Sequence, residues 1–290
     1  MAGERRIVTV GGGLGNQLFQ YAFAWALKRR TDGEVVLNTR HYRLPNARSL
    51  ELVSLRLKLP LSDERRPTRL DSRPARWLLR RFPEGAGNLL NVYSDPGVGR
   101  YREEYLGEPR RYYHGYWQSP RYFDQYREEL RPQFEFKQPV DVRTKLRRVR
   151  PDWAEFLAVH VRRGDYLSPA GQALHGVPPL AYFHDSLERL RTGLNQKNTV
   201  FVTDDPEWLR SESGLLDADS VLAADFLDGA LEEFALLREA RGLVMSNSTF
   251  SWWAAYLGDP EVTIVPRYWL RGVPTSSIDI ALSGWTVADA

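Results

Sequence analysis

Four side chains suited to handling an anion stand within six residues of one another. They are His160, Arg162, Arg163 and Asp165, in the stretch FLAVHVRRGDY at residues 156–166. The apolar run Phe156-Leu157-Ala158-Val159 predicts a buried strand, and Gly164 lets the chain turn as that strand ends. In open α/β sheets, ligands bind beyond the carboxyl ends of strands. Two adjacent guanidiniums there point to an anionic ligand, a diphosphate, whose oxygens match the planar fork in pairs. An ordinary salt-bridged surface loop is the competing reading. The neighbouring His and Asp and the strand-end position favour the ligand site.

Positioning these groups requires a sheet, and the chain beyond residue 150 supplies its rhythm. A strand at 158–161, a helix at 181–191, a strand at Thr199–Thr203, a helix at 227–240, a strand at 243–245, a short helix from Ser248 and a strand at Val262–Val265 predict a parallel α/β domain. Two more strand ends are polar. VTDDP ends one of them, and a carboxylate there, Asp204 or Asp205, can accept N1–H and N2–H of guanine and so select it over adenine. Ser246-Asn247-Ser248-Thr249 leads into the short helix, whose free N–H groups and dipole make an anion site. Asn247, Ser248, Thr249 and Ser251 are its candidates, Phe250 packs beneath them, and Trp252 and Trp253 read as core. Near the start, a strand at 7–10, the turn Gly11-Gly12-Gly13-Leu14-Gly15, a helix at 16–30 and a strand at 35–37 form a βαβ unit with its first turn aimed at a ligand. A dinucleotide fingerprint beginning at Gly11 would need glycine where Asn16 stands, and no P-loop lysine follows. Gly13 and Gly15 let the backbone approach a ligand, while Asn16 offers a directed amide or caps the helix.

Several of these segments, in this order, resemble one family. HVRRGDY resembles the H-x-R-R-x-D signature of α-1,2- and α-1,6-fucosyltransferases and of protein-O-fucosyltransferases. GGGLGNQLFQYAFAWAL resembles the opening of bacterial α-1,2-fucosyltransferases and SNSTFSWWAAYL their late motif, with GYWQSPRYF and VFVTDDPEW between them. The resemblance implies an α/β, GT-B-like fold of two Rossmann-like domains facing across a cleft. It implies transfer of L-fucose from GDP-β-L-fucose, a co-substrate and not a bound cofactor, to the 2-hydroxyl of a terminal galactose in an oligosaccharide. Arg162 would contact the β-phosphate, His160 would lie against the nucleoside, and Arg163 would bind the donor with them. Both arginines would take the place of a metal ion as charge grows on the leaving diphosphate. Asp165 would orient the guanidiniums, act as a base, or pair structurally with Arg163. Asn16 would reach the donor's pyrophosphate and sugar. Tyr116, Trp117 and Gln118 would meet the acceptor, unless the aromatic segment that includes Tyr112 and Tyr113 is core. Transfer to a 6-hydroxyl shares the central motif, and a non-catalytic nucleotide-sugar-binding protein would keep the fold.

Composition sets the remaining bounds. The 290 residues make one large domain or two of ordinary size. We place an acceptor-side domain at 1–150 and a donor-side domain at 151–290, joined through the polar, proline-bounded stretch 137–152. Cysteine is absent, which removes disulfides and thiolate metal sites. A net charge of +3 demands no nucleic acid. Asp217-Ala218-Asp219 matches D-x-D but sits in a Ser/Asp-rich loop, so no metal ligand is assigned. The N-terminus runs straight into a strand and leaves no room for a signal peptide, so a cytoplasmic location is expected. The basic stretch 65–81 is either a solvated helical face or a peripheral contact with an anionic inner-membrane face or acceptor.

Overall fold

Strands buried on both faces need helices above and below, and their sequences are apolar throughout. The chain builds two sheets of this kind. The computed structural model describes residues 5–45, 47–64, 77, 81, 91–95, 97–107 and 110–288. The basic stretch expected at 65–81 lies outside the described residues except for Trp77 and Arg81. The chain divides into two units, one ending at Gln138 and the other beginning at Pro139. The change of unit thus falls at the start of the 137–152 connector and not at residue 150. The helix Val142–Val149 belongs to the second unit, where Lys145 reaches Glu232 at 2.8 Å and Arg143 Nη2 donates to the Glu239 carbonyl at 3.1 Å.

In the first unit β1 (Arg6–Thr9), β2 (Val35–Asn38), β3 (Leu61–Ser62), β4 (Val92–Ser94) and β5 (Tyr112–His114) form a parallel sheet ordered β3-β2-β1-β5-β4. The helix Leu14–Arg30 connects β1 to β2 and ends in Lys28, Arg29 and Arg30, cations at the negative end of its dipole. Phe19, Tyr21, Phe23 and Leu27 are fully buried on it. Two polar residues are buried with them. Gln17 Nε2 donates to the carbonyls of Gly12 and Ser49, and its Oε1 accepts from the N–H groups of Glu51 and Leu52. Gln20 accepts from Gly11 N–H and donates to the Gly115 carbonyl, tying the end of β1 to the end of β5.

In the second unit β6 (Leu157–Val161), β7 (Thr199–Thr203), β8 (Ser220–Leu222), β9 (Gly242–Val244), β10 (Val262–Val265) and β13 (Thr286–Val287) form a parallel sheet ordered β13-β10-β9-β6-β7-β8. A small antiparallel pair, β11 (Tyr268–Leu270) with β12 (Val273–Pro274), follows β10. Numbered within the unit, the six-stranded order is the doubly wound 3-2-1-4-5-6, with its topological switch point between β6 and β9. The helix Leu180–Leu194 joins β6 to β7, Ala230–Arg238 precedes β9, and Thr249–Gly258 follows it. Trp252 and Trp253 on that last helix are fully buried, as their sequence context suggested.

Replacing Gln17 with leucine keeps the volume and strands the Ser49 carbonyl and two N–H groups, while the Gly12 carbonyl keeps its bond from Tyr42. Each buried unpaired group costs about 1–3 kcal/mol, so Gln17→Leu should lower the unfolding free energy by about 3 kcal/mol in urea titration, with loss of the fixed 49–52 backbone.

Candidate active site

The switch point of the second sheet brings HVRRGDY and SNSTFS together. β6 pairs with β9 from Leu157 to Val159. Beyond that, the side chain of Ser246 continues the ladder, donating to the His160 carbonyl at 2.9 Å and accepting the Arg162 N–H at 2.8 Å. His160 is 4 % exposed, and its Nδ1 lies 2.9 Å from Ser251 Oγ. Burial first, and then the charge of Arg162, push its pKa down to about 3, so the imidazole is neutral. Phe250 packs against that ring and against Phe234. Ser248 caps the helix Thr249–Gly258 by accepting from Phe250 N–H. Ser248 and Ser251 are therefore buried and hydrogen-bonded inside the motif, while Thr249 is half-buried at the first turn, where the N–H groups and the positive dipole end lie.

Both guanidiniums are held by carboxylates. Arg162 contacts Asp165 through Nη2 at 2.8 Å and Asp204 through Nη1 at 3.0 Å. Arg163 contacts Asp205 at 3.0 Å and lies over the Trp208 ring, 4.2 Å from its centroid. Asp204 also accepts the N–H groups of Arg163 and Gly164, at 2.8 and 3.1 Å. A Cβ on residue 164 would come within 2.7 Å of Asp204 Oδ2, which is why glycine stands there. Asp205 caps the turn Pro206–Ser211 through Trp208 N–H. The VTDDP carboxylates thus serve the arginine loop first. Asp165 pairs with Arg162, because the tight turn after Gly164 folds it back over the residue three before it.

In the first sheet β1 and β5 are neighbours, and the glycine turn and GYWQ follow those two strands. Gly12 has φ +85°, open to glycine, and its carbonyl accepts from Tyr42 Oη at 2.8 Å. Gly13 precedes the helix with Arg48 Nη1 2.9 Å from where its Cβ would be. Gly15 is buried in the first turn, which leaves it no approach to a ligand. Asn16 lies inside the helix, which starts at Leu14, so it is not the cap. Its Oδ1 accepts from Gln118 Nε2 at 2.8 Å. Trp117 is fully buried and stacks on Phe23 at 4.1 Å and 10°, so it is core and offers no face to an acceptor. Tyr112 and Tyr113 are buried too, whereas Tyr116 is 45 % exposed. Asp95 accepts the N–H groups of Gly97, Tyr116 and Trp117, and burial raises its pKa despite those bonds.

A family model described as glycosyl transferase family 11 matches residues 100–288. The chain belongs to that family. It is similar to an alpha-1,2-colitosyltransferase of Escherichia coli, 25 % identical over 96 % of this chain and 97 % of that protein. It is 31 % identical to galactoside alpha-(1,2)-fucosyltransferase 1 of Leontocebus fuscicollis over 58 % of this chain and 49 % of that protein. Among solved structures it resembles POFUT1 in complex with GDP, with TM-score 0.55, 12 % identity and coverage of 91 % and 98 %. It also resembles NodZ alpha-1,6-fucosyltransferase co-crystallised with GDP, with TM-score 0.52, 16 % identity and coverage of 88 % and 92 %. These likenesses are of fold: parallel α/β architecture of the GT-B fucosyltransferase type.

Within this glycosyltransferase several working residues escaped the sequence reading. Ser246, Tyr166 and Trp208 lie inside the quoted motifs, but only the pairing of β6 with β9 and the turn after β7 reveals what they touch. Glu233, in the first turn of Ala230–Arg238, interacts with Asp204 and Arg162, and burial raises its pKa. Gln17, Arg48 and Asp95 hold the first sheet's loops and carried no local signal of their role. Asp217 of the D-x-D triplet accepts from Arg191 at 2.7 Å and Ser220 Oγ at 2.6 Å, a structural tie. Among the described residues no cluster of three or more His, Asp or Glu is placed to hold a metal ion. Among them, too, no helix is long and apolar enough to cross a membrane.

His160 gives the site a signature in acid. Its pKa is about 3 in the folded protein against 6.5 for an unperturbed histidine, so the unfolded chain takes up the proton first. Stability should therefore fall as pH drops below about 6.5 and continue to fall toward 3. Between pH 7 and pH 5 the loss is on the order of 2 kcal/mol. In His160→Gln, which keeps a partner for Ser251, melting curves across that range should be flatter than in the parent.

Proposed function

We propose that this family 11 glycosyltransferase is an inverting enzyme that moves L-fucose from GDP-β-L-fucose to the 2-hydroxyl of a terminal galactose in an oligosaccharide. One observation carries the reading. Two preorganised guanidiniums stand at a strand's carboxyl end beside a helix N-terminus, at a doubly wound switch point. Charge grows on the leaving diphosphate as the C1–O bond breaks, and fixed donors aimed at that charge are the largest catalytic term available. In the ligand-free protein Asp165, Asp204 and Asp205 hold the arginines, and the donor's diphosphate competes for those same guanidiniums. The acid residues keep the loop in place while the anion takes over the exposed N–H groups. Arg162 is the principal donor to the β-phosphate, with Arg163, Ser248, Thr249 and the helix N-terminus completing the clamp. His160, Phe250 and Ser251 shape the nucleoside side, and a VTDDP carboxylate reads guanine. Asn16 reaches the donor's pyrophosphate and sugar, and the acceptor meets the first unit at Tyr116 and Gln118. The galactoside named for the Leontocebus relative supports the acceptor; the colitosyltransferase name supports colitose as a second sugar that could be transferred.

Incubation with GDP-fucose and lactose should give a trisaccharide by mass spectrometry, and the same assay with GDP-colitose separates the two donors. Arg162→Ala should lower turnover on the order of a hundredfold with little change in melting temperature. Arg162→Lys should rescue poorly, because an ammonium lacks the bidentate fork. A purely structural arginine would give the reverse, a lowered melting temperature with near-normal turnover.

No metal is needed in this scheme, since the arginines occupy the cation's place. Activity should survive excess EDTA. A tenfold loss restored by divalent ions would overturn this part of the proposal.

A further inference from the structure

The second unit holds a cavity of about 430 Å³ that the diphosphate site does not use. It lies beyond the ends of β9 and β10, between the segment 167–179 that follows the arginine loop and the segment 266–272 that carries β11. Its lining is mostly apolar: Leu167, Val177, Pro178, Pro179, Pro266 and Tyr268, with Arg267 and Arg271 beside them. Leu167 and Tyr268 are 40 % and 43 % exposed, so the apolar wall opens to solvent.

Two polar groups in this lining have no partner among the described residues. Asn247 is 2 % exposed, and its Nδ2 donates to the carbonyls of His175, Gly176 and Trp269 at 3.2, 3.2 and 3.0 Å. Three carbonyls around one nitrogen fix the amide's orientation and turn Oδ1 away from them. That oxygen is buried and accepts no hydrogen bond from any described residue. His175 Nδ1 is buried without a partner among them as well. Its ring stacks on Tyr166 at 4.5 Å and 6°, and Tyr166 Oη donates to the Asn247 carbonyl. The stack joins the cavity to the arginine loop, since Arg162 lies 5.9 Å from the centre of the Tyr166 ring. Burial lowers the His175 pKa, which keeps the imidazole neutral.

An unpaired buried amide oxygen costs about 1–3 kcal/mol unless a ligand satisfies it. A concave, largely apolar lining with a few convergent polar groups is the general form of a small-molecule site. The open acceptor at Asn247 Oδ1 calls for a hydroxyl donor, and the proline and tyrosine surfaces for an apolar C–H face. A pyranose offers both. A nucleotide's anionic part is served elsewhere, by the arginines and the helix N-terminus.

We propose that this cavity is a sugar subsite that takes one pyranose ring, with a ring hydroxyl donating to Asn247 Oδ1. The proposal rests on the glycosyl-transfer reading. The ring comes either from the donor, as the sugar being transferred, or from the acceptor glycan. Val177→Phe fills the cavity, and Tyr268→Ala removes an exposed wall residue at little risk to folding. Calorimetry with GDP and with GDP-fucose, together with the Michaelis constant for lactose, separates the outcomes. GDP affinity stays at the parent value in both variants. A donor ring lowers GDP-fucose affinity on the order of tenfold, toward that of GDP, and leaves the lactose constant alone. An acceptor ring leaves GDP-fucose affinity alone and raises the lactose constant by a similar factor. Either result supports the subsite. Variants that melt like the parent and change neither quantity overturn it, as does an equal loss of GDP and GDP-fucose affinity. Failure of the parent protein to bind GDP would count instead against the donor reading beneath it.

Discussion

A pair of guanidiniums held ready at the end of one buried strand is the constraint around which the second unit is organised. Arginine side chains are long and lose much rotamer freedom when fixed. Here carboxylates on the loops after β6 and β7 fix them, and the Trp208 ring supports Arg163 from the side. All three ion pairs are partly exposed, so they add little to stability. Their value is in orientation. The fork is set by these partners, which is the fixed-donor arrangement that the proposed function calls for. Asp204 does most, because it grips one guanidinium and two backbone N–H groups and so couples loop shape to charge placement.

The two sheets solve one problem twice. In each unit two neighbouring parallel strand ends carry sequence motifs, and in the second they flank the switch point, where a chain leaving in opposite directions opens a crevice. In each, a small hydrogen-bonding residue sews the strand ends together, Ser246 in the second unit and Gln20 in the first. Buried polar residues of this kind are costly unless satisfied. Gln17, Gln20 and Ser246 are satisfied by backbone groups, so they define loop conformation without making the core unstable. Asn247 differs: its nitrogen is fully used and its oxygen is not.

Sequence alone determined the elements whose signal is local. Continuous apolar runs, glycine stops and polar strand ends located four of the six strands of the second sheet, β6, β7, β9 and β10, to within a residue, because parallel strands buried on both faces have no other composition; the short, partly exposed β8 and β13 carry no such run. The same locality placed the arginine motif at a strand's carboxyl end and a helix start after Ser248, and it made Trp252 and Trp253 legible as core. Tertiary structure alone decided which partner each polar group takes. Asp165 turned to Arg162, Asp204 and Asp205 turned to the arginine loop, Asn16 sat inside the helix and bonded Gln118, leaving the cap position to Gly13, and Trp117 went to the core against Phe23. Glu233, Arg48 and Asp95 entered the sites from segments remote in sequence. The physical reason is range: backbone propensity and burial pattern are written over a few neighbouring residues, whereas a hydrogen bond or ion pair depends on which strand ends the sheet order sets side by side, and that order is fixed by packing of the whole unit.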